Sequence, residues 1–164
     1  LYARLIESIQ QRGGRAFLDS SGPALRAGLA ARPFAIKPNS EEAGELLGRP
    51  LLDDADHLRA AQALRDLGAG IVALSRGREG LALSMGNALL VAKPPSVAAR
   101  SPIGAGDAAL AGLIWAVVDD CDPDETALRI VASGTATAMQ EGTAVGDRAL
   151  VESLRSQVRI KRNT

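Results

Sequence analysis

Ser101-Pro102-Ile103-Gly104-Ala105-Gly106-Asp107 leads directly into Ala108-Ala109-Leu110-Ala111-Gly112-Leu113-Ile114-Trp115-Ala116-Val117-Val118. The second stretch reads as a strongly apolar, alanine-rich helix over 104–118, and the first as the loop that starts it. Two glycines flank a small residue, so successive backbone N–H groups lie open at a helix N-terminus, where unpaired donors and the helix dipole favour an anion. An aspartate there needs its own explanation, because a carboxylate beside a bound phosphate is repelled unless it has a separate task. In phosphoryl transfer that task is to accept the proton of an attacking hydroxyl while the helix terminus stabilises the transferred charge. A plainer reading also exists, a tight turn whose first-turn acid complements the dipole. Gly104 to Asp107 alone do not decide between them.

The surrounding chain alternates helix and strand. Leu5, Ile6 and Ile9 fall at helical spacing before Gly13-Gly14, and Arg15 to Asp19 reads as a short buried strand. Pro23 suits the first turn of a helix running to about Arg32, with Phe34-Ala35-Ile36 as the next strand. A short helix over Glu41 to Leu47 stops at Gly48. A longer one, over Asp53 to Leu67, carries Leu58, Ala61, Leu64 and Leu67 at spacings of three and ends at Gly68 and Gly70. Ile71 to Ser75 is an apolar run of strand length, and strands around Leu81 to Leu83 and Leu89 to Val91 flank Met85-Gly86-Asn87 as a hairpin. After Pro94-Pro95 and the alanine-rich helix, Asp122-Pro123-Asp124-Glu125 offers a cap, a first-turn proline and an acidic capping-box partner for a helix to about Gln140. Such alternation implies parallel pairing through right-handed crossovers, an α/β class with helices on both faces of a mostly parallel sheet.

Composition narrows the function classes. The chain has 164 residues, enough for one well-packed domain, with 46% hydrophobic and 23% charged residues, which is ordinary globular usage. Nineteen basic residues balance nineteen acidic ones, so the broad positive footprint of a nucleic-acid binder is missing. The longest apolar run, from Ala108 to Val118, is broken by Gly112 and falls short of the roughly 20 residues that span a bilayer. The single cysteine, Cys121, cannot build a disulfide framework and fits a reducing compartment, so the expected location is the cytoplasm. No G-x-G-x-x-G follows an early strand, since Asp107, Ala108 and Ala109 come after Gly106, which speaks against a dinucleotide fold.

With its neighbours, the glycine loop stops being ambiguous. Pro102-x-Gly104-Ala105-Gly106-Asp107-x-x-x-Ala111-Gly112 closely resembles the second signature of the ribokinase-like, phosphofructokinase B family of carbohydrate kinases. Ile36-Lys37-Pro38-Asn39-Ser40-Glu41-Glu42 resembles that family's Asn-x-x-Glu motif in its phosphosugar-kinase form, although Asn39 and Glu42 also fit a helix cap and capping box. Ser75-Arg76-Gly77-Arg78-Glu79-Gly80 resembles the family's nucleotide loop, with Arg76 where relatives more often carry an apolar residue. Asp19-Ser20-Ser21-Gly22 is similar to a segment of the phosphofructokinase, fructose-1-phosphate kinase and tagatose-6-phosphate kinase branch.

The resemblance implies a three-layer ribokinase-like fold, of which residues 1–164 would form the C-terminal, ATP-binding part of one kinase domain. The N-terminal sugar-binding half and its lid would be absent. It further implies ATP and magnesium as cofactors, Asp107 as the catalytic base, and the amides of Gly104, Ala105 and Gly106 as charge stabilisers. Ser75, Gly77, Gly80, Lys37 and Asn39 would bind the nucleotide, and Glu42 would serve the metal, a role suited to a hard cation reached through one carboxylate. The implied reaction is in-line transfer of the ATP γ-phosphoryl group to a ketohexose phosphate: fructose 6-phosphate, fructose 1-phosphate or tagatose 6-phosphate. Another sugar or nucleoside kinase of the family and a truncated, non-catalytic nucleotide-binding module are the alternatives. Partners are expected to be ATP and a sugar phosphate, with no nucleic acid and no membrane; a homodimer is compatible with the reading.

Three features are expected to be inert. His57, among acids in an amphipathic segment, reads as a surface or cap residue. Cys121 has no cysteine or histidine at ligand spacing. Arg155, Arg159, Lys161 and Arg162 form a basic tail with no interleaved aromatics, read as a solvated terminus.

Overall fold

The computed structural model describes residues 1–163. Seven helices and six strands occur among them: α1 Tyr2–Gln11, β1 Phe17–Leu18, α2 Gly22–Ala30, β2 Ala35–Ile36, α3 Ser40–Leu47, α4 Asp54–Asp66, β3 Ile71–Ser75, β4 Leu81–Met85, β5 Ala88–Lys93, α5 Ala105–Val118, α6 Pro123–Ala138, α7 Arg148–Arg155 and β6 Arg159–Arg162. The strands form a six-stranded sheet in chain order, with β1, β2 and β3 parallel and in register at Phe17–Ala35, Leu18–Ile36, Ala35–Ile71 and Ile36–Val72. Two compact units carry these elements, one of residues 1–77, 82–90 and 163, the other of 78–81 and 91–162. No helix among the described residues is long and apolar enough to cross a membrane.

In the first unit, Leu18 of β1, Ile36 of β2, Val72 and Leu74 of β3 and Leu64 of α4 build the core. Helix α3 starts on a complete capping box and stops at Gly48, whose φ of 69° is the left-handed conformation that glycine adopts without cost. Helix α4 keeps most of its expected buried stripe and extends it toward the N-terminus. Ala61 and Leu64 are buried and Leu58 packs against the same core, His57 and Ala60 are buried beside them, and Leu67 is 55% exposed. Arg65 of α4 ties down the hairpin turn, donating to the Gly86 carbonyl at 2.5 Å.

In the second unit, α5 and α6 pack closely along their small residues. A Cβ on Gly112 would stand 2.7 Å from the Arg129 carbonyl oxygen and 2.8 Å from Ser133 Oγ, so the two backbones meet where only glycine fits. Gly112→Ala is therefore expected to destabilise the fold by about 2 kcal/mol, the overpacking penalty outweighing alanine's better helix propensity. Urea unfolding checks this: an unchanged or higher midpoint would refute the close approach.

The basic tail is a solvated terminus only in part, with Arg159 and Lys161 exposed on β6. Arg155 ends α7 and pairs with Glu125 and Glu152, while Arg162 of β6 reaches Asp124 at 3.0 Å. The capping box expected at Asp122 is half formed for the same reason. Asp122 accepts the Glu125 N–H at 2.8 Å, but the Glu125 carboxylate turns to Arg129 and Arg155.

Candidate active site

Within the first unit the structure brings together Lys37, Asn39, Glu42 and Ser75. Parallel β2 and β3 end side by side, and the pairing continues past them as a bridge between Asn39 and Ser75. The Ser75 N–H donates to the Pro38 carbonyl at 2.9 Å, so the end of β3 and the start of α3 form one junction at the carboxyl end of the strands, where open α/β sheets bind ligands. Asn39 Oδ1 accepts the Glu42 N–H at 2.9 Å, and Glu42 Oε2 accepts the Asn39 N–H at 2.8 Å. Capping and metal roles are compatible on Glu42, because its second oxygen, Oε1, has no partner among the described residues and could meet a hard cation. Lys37 is buried with its ammonium 2.9 Å from Asp19, which neutralises a charge that burial would otherwise penalise.

Gly77 follows with φ 54° and nothing within 4 Å of where a Cβ would be, so its backbone is open to close approach. Arg76, the departure from the family pattern, lays its guanidinium on Asp54 of α4, and its side chain is 7% exposed.

The second unit carries Gly80 and the Gly104–Asp107 loop. Gly80 is a different kind of glycine from Gly77: a Cβ there would lie 2.0 Å from the Ala92 carbonyl oxygen, at φ 99°. The loop before α5 is held at its root. The Arg100 and Ser101 N–H groups both donate to the Ala138 carbonyl, at 2.7 and 3.1 Å, and Ser101 Oγ donates to the Gly142 carbonyl at 2.8 Å while accepting the Ile103 N–H. Gly104 then caps α5 at φ 77°, a conformation that costs other residues energy. The Ala105 N–H is turned to the Pro102 carbonyl at 3.3 Å, and the first α-helical bond runs from Ala108 to Gly104. The amides of Gly104, Gly106 and Asp107 have no acceptor among the described residues. Asp107 is exposed on the first turn and makes no ion pair among the described residues.

This geometry agrees with what known proteins resemble. The profile of the pfkB family carbohydrate kinase matches residues 1–150. The chain belongs to that family. This pfkB-family chain is 44% identical to the 1-phosphofructokinase of Rhodobacter capsulatus over 126 residues, 77% of the chain and 40% of that protein. It is 35% identical to the 1-phosphofructokinase of Vibrio cholerae over 156 residues, 94% of the chain and 49% of that protein. The crystal structure of phosphofructokinase-2 from Escherichia coli in complex with potassium superposes with a TM-score of 0.90 at 29% identity, covering 95% of the chain and 51% of that one. The α/β ribokinase-like fold is thereby shown, and the chain spans about half the length of the relatives it matches.

Sequence reasoning misplaced His57 and gave no role to Ser40 or Asp54. His57 is 3% exposed, with Nε2 2.9 Å from Ser40 Oγ and Nδ1 2.6 Å from the Asp53 carbonyl oxygen. A signal existed, since positions 57, 60, 61 and 64 form a helical stripe; a histidine at its head is hard to recognise as interior. Cys121 is a free cysteine, partly exposed, and burial pushes its thiol up, away from the thiolate form.

Proposed function

We propose that this chain is the ATP-binding and catalytic half of a sugar-phosphate kinase that phosphorylates a ketohexose phosphate. The observation that carries the reading is the Gly104–Asp107 loop, an exposed carboxylate on the first turn of α5 next to amides without acceptors. Of the three ketohexose phosphates, fructose 1-phosphate is favoured, because the relatives with the higher identities are named 1-phosphofructokinase.

In the proposed reaction, Asp107 accepts the proton of the sugar hydroxyl. The hydroxyl oxygen forms a bond to the γ-phosphorus of ATP as the bond to the bridging oxygen breaks, releasing ADP. The Gly104, Gly106 and Asp107 amides, at the positive end of the α5 dipole, meet the charge on the transferred phosphoryl oxygens. The Ala105 amide is a weaker candidate for that task, since it already serves Pro102. Gly77 lets the backbone approach the nucleotide, and Asn39 holds Glu42 in direction through the capping box. Magnesium, held by Glu42 and the ATP phosphates, would neutralise phosphate charge. A cytoplasmic location goes with this reading.

A second reading is a non-catalytic nucleotide-binding module, for which the junction of Asn39, Glu42 and Ser75 would suffice without a base. Calorimetry of the chain with MgATP, together with a coupled assay on fructose 1-phosphate in a protein of the relatives' full length, separates the two. Binding with turnover is the expected result for the kinase; binding without turnover supports the module, and no binding overturns both.

A further inference from the structure

Helix α4 lies outside every segment that the resemblance assigns to the reaction, yet its first turn holds two of them in place. Asp54 pairs with Arg76, the residue after Ser75. His57 reaches Ser40, the residue between Asn39 and Glu42 that carries a hydroxyl. We propose that His57 is a positioning residue for nucleotide binding, acting through the Ser40 hydroxyl on the junction of Asn39, Glu42 and Ser75. The inference rests on the nucleotide-binding reading above and adds to it a residue in none of the family-like motifs.

The hydrogen-bond pattern gives each ring atom a task. A carbonyl can only accept, so the contact between Nδ1 and the Asp53 carbonyl oxygen at 2.6 Å puts the proton on Nδ1. In the neutral ring Nε2 is then left as an acceptor, and Ser40 donates its hydroxyl proton to it at 2.9 Å. Ser40 Oγ also lies 3.4 Å from the Ser75 carbonyl oxygen, so the hydroxyl stands at the meeting point of α3, β3 and α4. The imidazole is buried, and burial strengthens a well-directed bond while making its loss expensive. The Asp53 carbonyl that orients the ring is the N-cap carbonyl of α4 and also receives the His57 N–H at 3.2 Å, which makes the ring's anchor part of the helix start. Ser40 is the first residue of α3, so a shift of its side chain moves the turn that carries the Asn39 and Glu42 capping box.

A histidine that merely fills the core would affect stability without changing the affinity of molecules that remain folded. Four variants distinguish the two roles: Ser40→Ala, His57→Asn, His57→Gln and the double variant Ser40→Ala with His57→Asn. Asparagine can keep the bond near Nδ1 but loses the one to Ser40, whereas glutamine can place a polar group near Nε2. Calorimetry with MgATP, well below each variant's melting temperature, should show Ser40→Ala and His57→Asn weakening binding by roughly three- to ten-fold, the size expected for one buried neutral hydrogen bond. His57→Gln should recover most of that loss, and the double variant should bind no more weakly than either single one, because both remove the same bond. Folded variants that bind within about two-fold of the wild type, or losses that add in the double variant, would overturn the proposal. If the His57 variants do not fold, Ser40→Ala alone decides by the same threshold. A wild-type chain that fails to bind MgATP removes the underlying reading, and this inference falls with it.

Discussion

Asp107→Asn, made in a protein of the relatives' full length, is expected to lower kcat by a factor of about 10³ while MgATP affinity stays within about three-fold of the wild type. The carboxamide has nearly the same size and keeps the first turn of α5 intact, so the change removes the proton acceptor and one negative charge, and little else. The charge loss alone would favour an anion at the helix terminus, so a fall in turnover cannot come from weaker phosphate binding. Single-turnover measurements should show the loss in the chemical step. Turnover near the wild-type level would refute the assignment of Asp107 as base, and with it the observation on which the proposed function chiefly rests.

The largest effect on folding is expected from Gly80→Ala. A Cβ 2.0 Å from the Ala92 carbonyl oxygen and 3.0 Å from Pro94 Cδ has no room, and the φ of 99° is strained for any other residue. Backbone strain and steric displacement together should cost about 4 kcal/mol, a large part of the total stability of a domain. Gly77→Ala provides the contrast. Its φ of 54° with open space around the Cβ should cost only about 1 kcal/mol, while the added methyl group sits where the proposed nucleotide approaches. Urea unfolding should therefore rank Gly80→Ala far below Gly77→Ala in stability, and MgATP titration should find the Gly77 variant folded but weakened. Equal stability for the two variants would refute the close approach at Gly80.

Much of the fold was legible because its boundaries are local. Gly48, Asp53, Asp122 and the apolar run Ile71 to Ser75 announce their conformations through capping, backbone freedom and β-propensity, and they stand where the sequence put them. The Asn39 and Glu42 pair was legible twice, as a motif and as a cap, and the structure contains the cap in full. Strands β1 and β2 came out shorter than the apolar runs around them, two residues each, because strand length is set by pairing partners far away in sequence.

What escaped the sequence depends on long-range contacts in each case. The face of α4 is fixed by what lies against it: Leu58, Ala61 and Leu64 of the stripe meet the core, but Leu67 falls outside it and His57, read as a surface or cap residue, lies inside. Helix α7 and strand β6 are polar segments whose Arg155 and Arg162 look free until Glu125 and Asp124, about 30 residues or more away, are brought to them. The Ser40 hydroxyl carried no signal at all, since its partner lies on a separate helix.

Trp115 is the sole tryptophan of the chain and stands in α5 with the Arg129 guanidinium 4.1 Å and that of Arg148 5.0 Å from its ring. Selective excitation of the indole therefore interrogates one place, the helix whose first turn bears Asp107, without interference from elsewhere. Two cations on the ring make its emission sensitive to small displacements of α6 and α7, so a ligand arriving at the far end of α5 can be followed optically with no label attached.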